Sequence, residues 1–415
     1  MKARLYPAYK VHGAIFLLFI IIGMAITGPK GVIIGLKDII LQSDILITDY
    51  VELAGIGPSL VNTGLLSLTI LFIYLGNGIK PNGSTIMSLW LMAGFAFFGK
   101  NIFNVWPIML GVFLYSKYKG EPFHNYILVA VLGTCLAPTV SQLAFQNILP
   151  PGISVICGIL IGVFIGFILP PLAASTISIH HGYNLYNLGF AGGMLAMVLM
   201  SVLKLFGIEF ESRLLWSTGN NLFFSIMLYS IFLFFIIYGY INNGRSFKNL
   251  GKIMKHSGRL ITDYYILYGN AAYINMGLLG FIATTFLIIA GGDLNGPTIA
   301  GILTIVGFGS FGKHPKNATP IMVGAALTSL LNIWTLNSPS MVLAILFSTA
   351  LAPIAGQYGF IAGIITGFLH VAVCMNIGGV HGGMNLYSNG FAAGFVAIII
   401  LPIIKAFKKG DTHEV

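Results

Sequence analysis

Charge is what this chain has least of. Only 8% of its 415 residues are Asp, Glu, Lys or Arg, against about 25% in an ordinary soluble protein. With 57% of the residues hydrophobic, a soluble fold of this size would lack the polar surface to cover itself. Cysteine is scarce too. Cys135, Cys157 and Cys374 stand singly in apolar stretches, which excludes a disulfide framework and a cysteine metal site and leaves them as small core residues. No Walker A loop, no His-Glu-x-x-His and no Gly-x-Ser-x-Gly occurs, which argues against an ATP-driven pump and the common hydrolases. The expectation is a protein that is not an enzyme, needs no cofactor or metal, and binds no nucleic acid.

What the chain has is long apolar runs, such as Ala14 to Ile26, Phe223 to Ile237 and Ala392 to Ile404. A helix crosses a bilayer with about 20 mostly apolar residues. The fold class is therefore all-α integral membrane. The first span, Val11 to Thr27, follows Lys2, Arg4 and Lys10 as a signal peptide would. No small-residue cleavage site follows cleanly and an equivalent span returns mid-chain, so it reads as a true span.

The chain repeats itself. Thr48-Asp49-Tyr50 returns as Thr262-Asp263-Tyr264, and Gly64-Leu65-Leu66 as Gly277-Leu278-Leu279. The block Gly94 to Lys100 returns as Gly307 to Lys313, Asn104 as Asn317, and Pro107-Ile108-Met109 as Pro320-Ile321-Met322. Leu136-Ala137-Pro138 with Gln142 matches Leu351-Ala352-Pro353 with Gln357. Asn184-Leu185-Tyr186 and Gly189-Phe190-Ala191 match Asn385-Leu386-Tyr387 and Gly390-Phe391-Ala392. The order is kept, at a separation near 213 (64 against 277) that falls to 201 (184 against 385). Two membrane repeats follow, residues 1–210 and 211–415.

Seven apolar segments are expected in each repeat: 11–27, 57–77, 84–98, 102–117, 125–145, 152–172 and 184–206, then 221–242, 272–290, 297–312, 318–333, 340–356, 358–376 and 384–404. The pairs 84–98/102–117 and 297–312/318–333 read either as two spans or as re-entrant half-helices. An odd number of crossings inserts the second repeat upside down. With the N-terminus in the cytoplasm, Lys2, Arg4, Lys10, Lys80, Lys117, Lys119, Arg245, Lys248, Lys252, Lys255, Arg259, Lys405, Lys408 and Lys409 fall inside. Lys30, Lys37, Lys204 and Arg213 fall outside. That bias is the one that sets membrane topology. It also accounts for the net charge of +10 without nucleic acid. The expected place is the cell inner (cytoplasmic) membrane, multi-pass, with both termini cytoplasmic. Inverted repeats typify transporters, whose solute site lies at the repeat interface near the midplane.

Four repeated constellations carry polar chemistry. Lys100 and Lys313 follow glycines inside apolar stretches, with Asn104 and Asn317 nearby. Irregular backbone at membrane depth lines a cavity or is buried in protein, and an ammonium there is paired or functional. They read either as a solute site or as lysines snorkelling from short loops. Asp49 and Asp263 read as helix caps or ion-pair partners of those lysines, or as coupling sites. His180-His181-Gly182-Tyr183-Asn184-Leu185-Tyr186 and His381-Gly382-Gly383-Met384-Asn385-Leu386-Tyr387 suggest unwound segments entering half-helices, offering hydrogen bonds and a proton relay through His181 or His381. A polar loop and cap is the plainer reading. The prolines Pro138 and Pro353 free carbonyls that line a pore or mark a kink.

In its His181-Gly182-Tyr183-Asn184 block, preceded by Phe98-Gly99-Lys100-Asn101 to Pro107 and by Leu132-Gly133-Thr134, the chain resembles the urea-transporter family. The resemblance covers about 100 residues of each half. It implies two inverted halves with short half-helices, a central pore and a homo-oligomer, often a trimer. The span 152–172 intrudes between the motifs, the family's Leu-Pro-x-x-Thr signature is missing, and the lysines have no counterpart in it, so the resemblance implies the shared architecture and not urea as the solute. Across its whole length the chain resembles an uncharacterised bacterial polytopic membrane family known as a domain of unknown function.

The expected function is a channel or facilitator for a small polar solute at the interface of the repeats. The alternative is an ion-coupled secondary transporter of a small organic anion, with Asp49 and Asp263 in coupling. Lys100, Asn104, His181, Asn184, Tyr186, Lys313, Asn317, His381, Asn385 and Tyr387 are the expected solute-binding residues. The expected partners are that solute or ion, the lipid bilayer and further copies of the chain.

Overall fold

A computed structural model describes residues 6–146, 148–260 and 262–407. Lys2, Arg4, Lys408 and Lys409, counted above in the charge bias, lie outside these residues.

The described chain is helical, with three isolated bridges and no strand. The first half holds α1 (Pro7–Ile40), α2 (Tyr50–Ala54), α3 (Ile56–Gly76), α4 (Gly83–Phe95), α5 (Val105–Tyr118), α6 (Ile127–Gly133), α7 (Ala137–Phe145), α8 (Pro151–His180) and α9 (Asn187–Leu205). The second holds α10 (Asn221–Asn242), α11 (Lys248–Ile253), α12 (Tyr264–Tyr268), α13 (Ala271–Ile289), α14 (Gly296–Phe308), α15 (Pro315–Leu327), α16 (Pro339–Ser348), α17 (Ala352–Tyr358), α18 (Phe360–Ile377) and α19 (Ser388–Phe407). Ten helical stretches among the described residues are long and apolar enough to cross a bilayer. This is an all-α, multi-pass membrane protein.

Each expected segment is helical, 125–145 and 340–356 each as two α-helices joined by a 3-10 turn, and two run on further than the apolar pattern implies. α1 continues beyond Thr27 because the chain bends at Gly28–Pro29 instead of stopping. Past the bend, Gly35 lets it pack closely on Pro58. In the second half the matching place is a true break between α10 and α11. α8 continues through Pro170 and Pro171 to His180. The prolines reduce the apolar signal there without ending the helix.

The packing pairs the halves. α1 lies on α3 and α10 on α13; α5 lies on α8 and α15 on α18; α4 lies on α14 and α9 on α19. The last two pairs join one half to the other. α4 and α14 run antiparallel. Gly94 meets Ala300 and Gly307 meets Met87, while the start of each helix reaches the break that follows the other. α4 and α5 diverge after their break, α4 toward α14 and α5 toward α8.

The breaks are built from glycine. Gly99 (φ 80) and Gly312 (φ 98) hold left-handed backbone that a side chain would resist. Asn62 of α3 clamps the first break, donating to the carbonyls of Ala96 (2.7 Å) and Lys100 (2.9 Å). Asn275 of α13 does the same to Gly309 (2.7 Å) and Lys313 (2.7 Å). Both clamps satisfy carbonyls that the interrupted helix leaves without partners.

Candidate functional site

The two lysines leave these breaks and turn into the protein. Lys100 is 1% exposed and Lys313 is 0% exposed. The ammonium of Lys100 donates to the Tyr387 hydroxyl of the other half at 2.8 Å. It lies 4.8 Å from the Tyr387 ring and 5.3 Å from that of Phe95. Lys313 repeats this in mirror roles. It donates to the Tyr186 hydroxyl of the first half and to Thr349 Oγ1 (2.7 Å), and lies 4.5 Å from the Tyr186 ring and 4.9 Å from Phe308. Ring faces attract a cation most where water is excluded. They offset part of the several kcal/mol that burying an ammonium costs.

Short turns set the tyrosines. The Asn184 side chain accepts from the Tyr186 backbone N–H (2.9 Å) and donates to the Gly390 carbonyl (2.9 Å). Asn385 accepts from the Tyr387 N–H (3.0 Å) and donates to the Gly189 carbonyl (3.1 Å). The next residue in each turn reaches across as well. Leu185 donates to the Ala350 carbonyl and Leu386 to the Cys135 carbonyl, both at 2.9 Å. Those acceptors lie in the 3-10 turns just before Pro138 and Pro353. There the α-helical hydrogen-bond ladder is interrupted and a carbonyl is left free. Gly189 and Gly390 meet face to face at the crossing of α9 and α19, where a Cβ on either would run into the opposite tyrosine.

Between the two lysine cages stands Phe347. Its ring is 5.7 Å from Phe95 and 6.3 Å from Tyr186. A cavity of about 420 Å³ borders both cages. Tyr186, Tyr387, Phe95, Phe308 and Phe347 line it, with Leu128, Val129 and Leu132 of α6 along one flank and Asn125, Tyr126 and Leu260 among its other lining residues. Most of its wall is apolar. The tyrosines line it and their hydroxyls are bonded to the lysines behind, so positive charge backs the aromatic wall.

The ten expected solute-binding residues fall into five pairs. Tyr186 and Tyr387 line the cavity, Lys100 and Lys313 back them, and Asn184 and Asn385 set their turns. Asn104 and Asn317 sit in the breaks, each donating to its glycine carbonyl, Gly99 O (3.1 Å) and Gly312 O (2.9 Å). His181 and His381 stand apart from the cavity. His181 is exposed, and its carbonyl accepts from Arg259. By the separation of 201 the counterpart of His381 is His180, which is buried and bonded to Asn187 Oδ1 at 2.8 Å. His381 is buried against Phe391, with ring centroids 5.9 Å apart.

The expected ion pair of Asp49 or Asp263 with a lysine does not form. Asp49 caps α2 through Val51 N (2.9 Å) and reaches across to Gly296 N (3.1 Å) at the start of α14, and to Ser217 N (2.9 Å). Asp263 caps α12 through Ile266 N (2.8 Å) and takes Gly83 N (2.8 Å) at the start of α4. Free N–H groups at helix starts satisfy a carboxylate well, and these do so before a distant ammonium can.

Sequence reasoning missed Phe95, Phe308, Phe347 and Thr349. Phe95 and Phe308 lay inside a matched block, so the repeat held that signal. Phe347 stands opposite Leu132 in the repeat and carried none.

Among families of known sequence, the one described as protein of unknown function DUF1576 matches residues 28–205 and 242–406. No curated protein and no solved structure matches. The chain belongs to the DUF1576 family.

Proposed function

We propose that this member of the DUF1576 family is a carrier for a small organic anion, working through two halves inverted in the membrane. The observation that carries this reading is the reciprocal pair of cages, Lys100 with Tyr387 and Lys313 with Tyr186, set around one cavity. An anion that reaches the tyrosine hydroxyls accepts their O–H, while each tyrosine oxygen keeps the ammonium behind it, and the apolar wall takes its hydrocarbon. Aromatic monocarboxylates suit such a space, since a cavity of about 150 Å³ already holds benzene. The lining favours them over urea, which offers no apolar surface to bury. We place its activity in transport, not in catalysis.

A carrier reading also suits the unequal flanks of the cavity. Leu128 and Val129 of α6 are half-buried. Their counterparts Leu343 and Ala344 in α16 are 7% and 0% exposed. The same helix face is thus open in one half and shut in the other. In an inverted repeat, exchange of these two arrangements moves the opening to the opposite side. With the termini cytoplasmic, the flank now open is the cytoplasmic one.

A facilitator for a small polar solute is the second reading, favoured by Thr304, Asn187 and Asn389 in the cavity wall. The test is uptake into proteoliposomes of phenylacetate, acetate, formate and urea by wild type, Lys100→Met and Lys313→Met. Saturable phenylacetate entry lost in both variants is expected. Urea entry unchanged by either variant would select the facilitator.

A further inference from the structure

The carrier reading leaves a buried carboxylate without a role. Asp44, in the loop between α1 and α2, is fully buried with left-handed backbone (φ 53). Its Oδ1 accepts from the Tyr50 hydroxyl at 2.8 Å. Its Oδ2 accepts from the side-chain amides of Asn101 and Asn104, each at 3.0 Å. Around it stand Tyr50 of α2, Asn101 and Asn104 of the first break, and Ser141 of α7, which shares Asn104. The Ile39 carbonyl of α1 accepts from Asn101. The one charge that reaches it is Arg213, whose guanidinium is bonded to Gln42. Lys100, from the same break, turns away to Tyr387. Among the described residues the only ion pair is Lys204 with Glu209, so no cation pairs directly with this carboxylate.

The second half shows what the same donors need structurally. Tyr264, His314 and Asn317 stand where Tyr50, Asn101 and Asn104 stand in the first. They meet main-chain carbonyls: Tyr264 donates to Gly312 O (3.1 Å), His314 Nε2 lies against His256 O (2.9 Å), and Asn317 donates to Ser257 O (3.2 Å). Neutral acceptors hold that break. A carboxylate in the first half therefore adds what a carbonyl lacks, the capacity to take a proton. Burial pushes the Asp44 carboxyl up, to about 7, against the pull of its hydrogen-bond donors.

We propose that Asp44 is a reversible proton-binding site that sets the state of the break carrying Lys100. The proton comes from water and adds to Oδ1, because the Tyr50 hydroxyl can turn from donor to acceptor whereas the amides on Oδ2 cannot. The carboxylate charge is lost and a carboxylic acid remains. Asn104, which bonds Asp44 and the Gly99 carbonyl together, then loses its charged acceptor. The change reaches the residue next to Lys100. Any use of this proton in transport rests on the carrier reading; the site itself does not.

The test is infrared difference spectroscopy of the purified full-length chain in lipid, stepped from about pH 5, above the ordinary carboxylate range, to about pH 9. A carboxylic C=O band should disappear with a midpoint near neutrality and be missing in Asp44→Asn. Tyr50→Phe removes a donor to the ionised form and should raise the midpoint by about one pH unit. If Asp44→Asn does not fold, that shift decides. The absence of any such band, its persistence in Asp44→Asn, or an unmoved midpoint in Tyr50→Phe would overturn the proposal. Phenylacetate counterflow is read in the same vesicles. Its absence would count against the carrier alone, because the titration needs no substrate.

Discussion

Removing one hydroxyl from each cage separates the two lysines. Lys100 has a single hydrogen-bond acceptor among the described residues, Tyr387, whereas Lys313 has two, Tyr186 and Thr349. Tyr387→Phe keeps a ring under the ammonium but strips its only acceptor. A hydrogen bond to a charged group contributes about 1.5–3 kcal/mol, and a buried charge left without one costs at least as much. With about 1.4 kcal/mol to each factor of ten, Tyr387→Phe should raise the half-saturation concentration for phenylacetate uptake by about 10-fold to 100-fold. Tyr186→Phe leaves Thr349 in place. Its loss should stay near that of an ordinary bond, about 0.5–1.5 kcal/mol, or roughly 2-fold to 10-fold. Uptake into proteoliposomes across a concentration series gives both numbers. A larger effect from Tyr186→Phe, or no effect from either, would refute the reasoning that ties the anion to these cages.

Asn62→Ala and Asn275→Ala each leave two buried carbonyls of a break without a donor, at about 1–3 kcal/mol per unsatisfied group; both should lower the melting temperature in detergent, and by similar amounts. Gly189→Ala and Gly390→Ala push a methyl into the opposite tyrosine and helix backbone, an overpacking of about 1–3 kcal/mol; thermal unfolding should show each as destabilised. In a background with Cys135, Cys157 and Cys374 replaced, Val129→Cys should react with a water-soluble maleimide and Ala344→Cys should not; equal labelling would remove the asymmetry between α6 and α16.

Much of this fold was legible because the membrane writes hydrophobicity directly into sequence. Every apolar segment marks a helix, and the matched blocks mark the residues that bond across the halves, such as Asn184 and Asn385. Helix extent was less legible. Gly28–Pro29 and Pro170-Pro171 look like stops in hydropathy, yet close packing on α3 and the length of α8 carry the helices through. The site was read in part. Lys100, Lys313, Tyr186 and Tyr387 were marked by duplication, but that each lysine joins the tyrosine of the other half depends on packing that no spacing reveals. Residues that break the repeat stayed hidden. Phe347 has Leu132 as its counterpart, and Asp44 has a main-chain carbonyl. Of the adjacent pair His180-His181, the one that turns inward is decided by the left-handed φ of 51 at His181, which caps α8.

Counterflow tests the central claim most directly. Proteoliposomes are loaded with unlabelled phenylacetate and diluted into a trace of labelled phenylacetate. A carrier exchanging the two through the cavity between Tyr186 and Tyr387 gives a transient accumulation of label above the outside concentration, lost in Lys100→Met and Lys313→Met. Label that only equilibrates, at a rate the two substitutions leave unchanged, would contradict it.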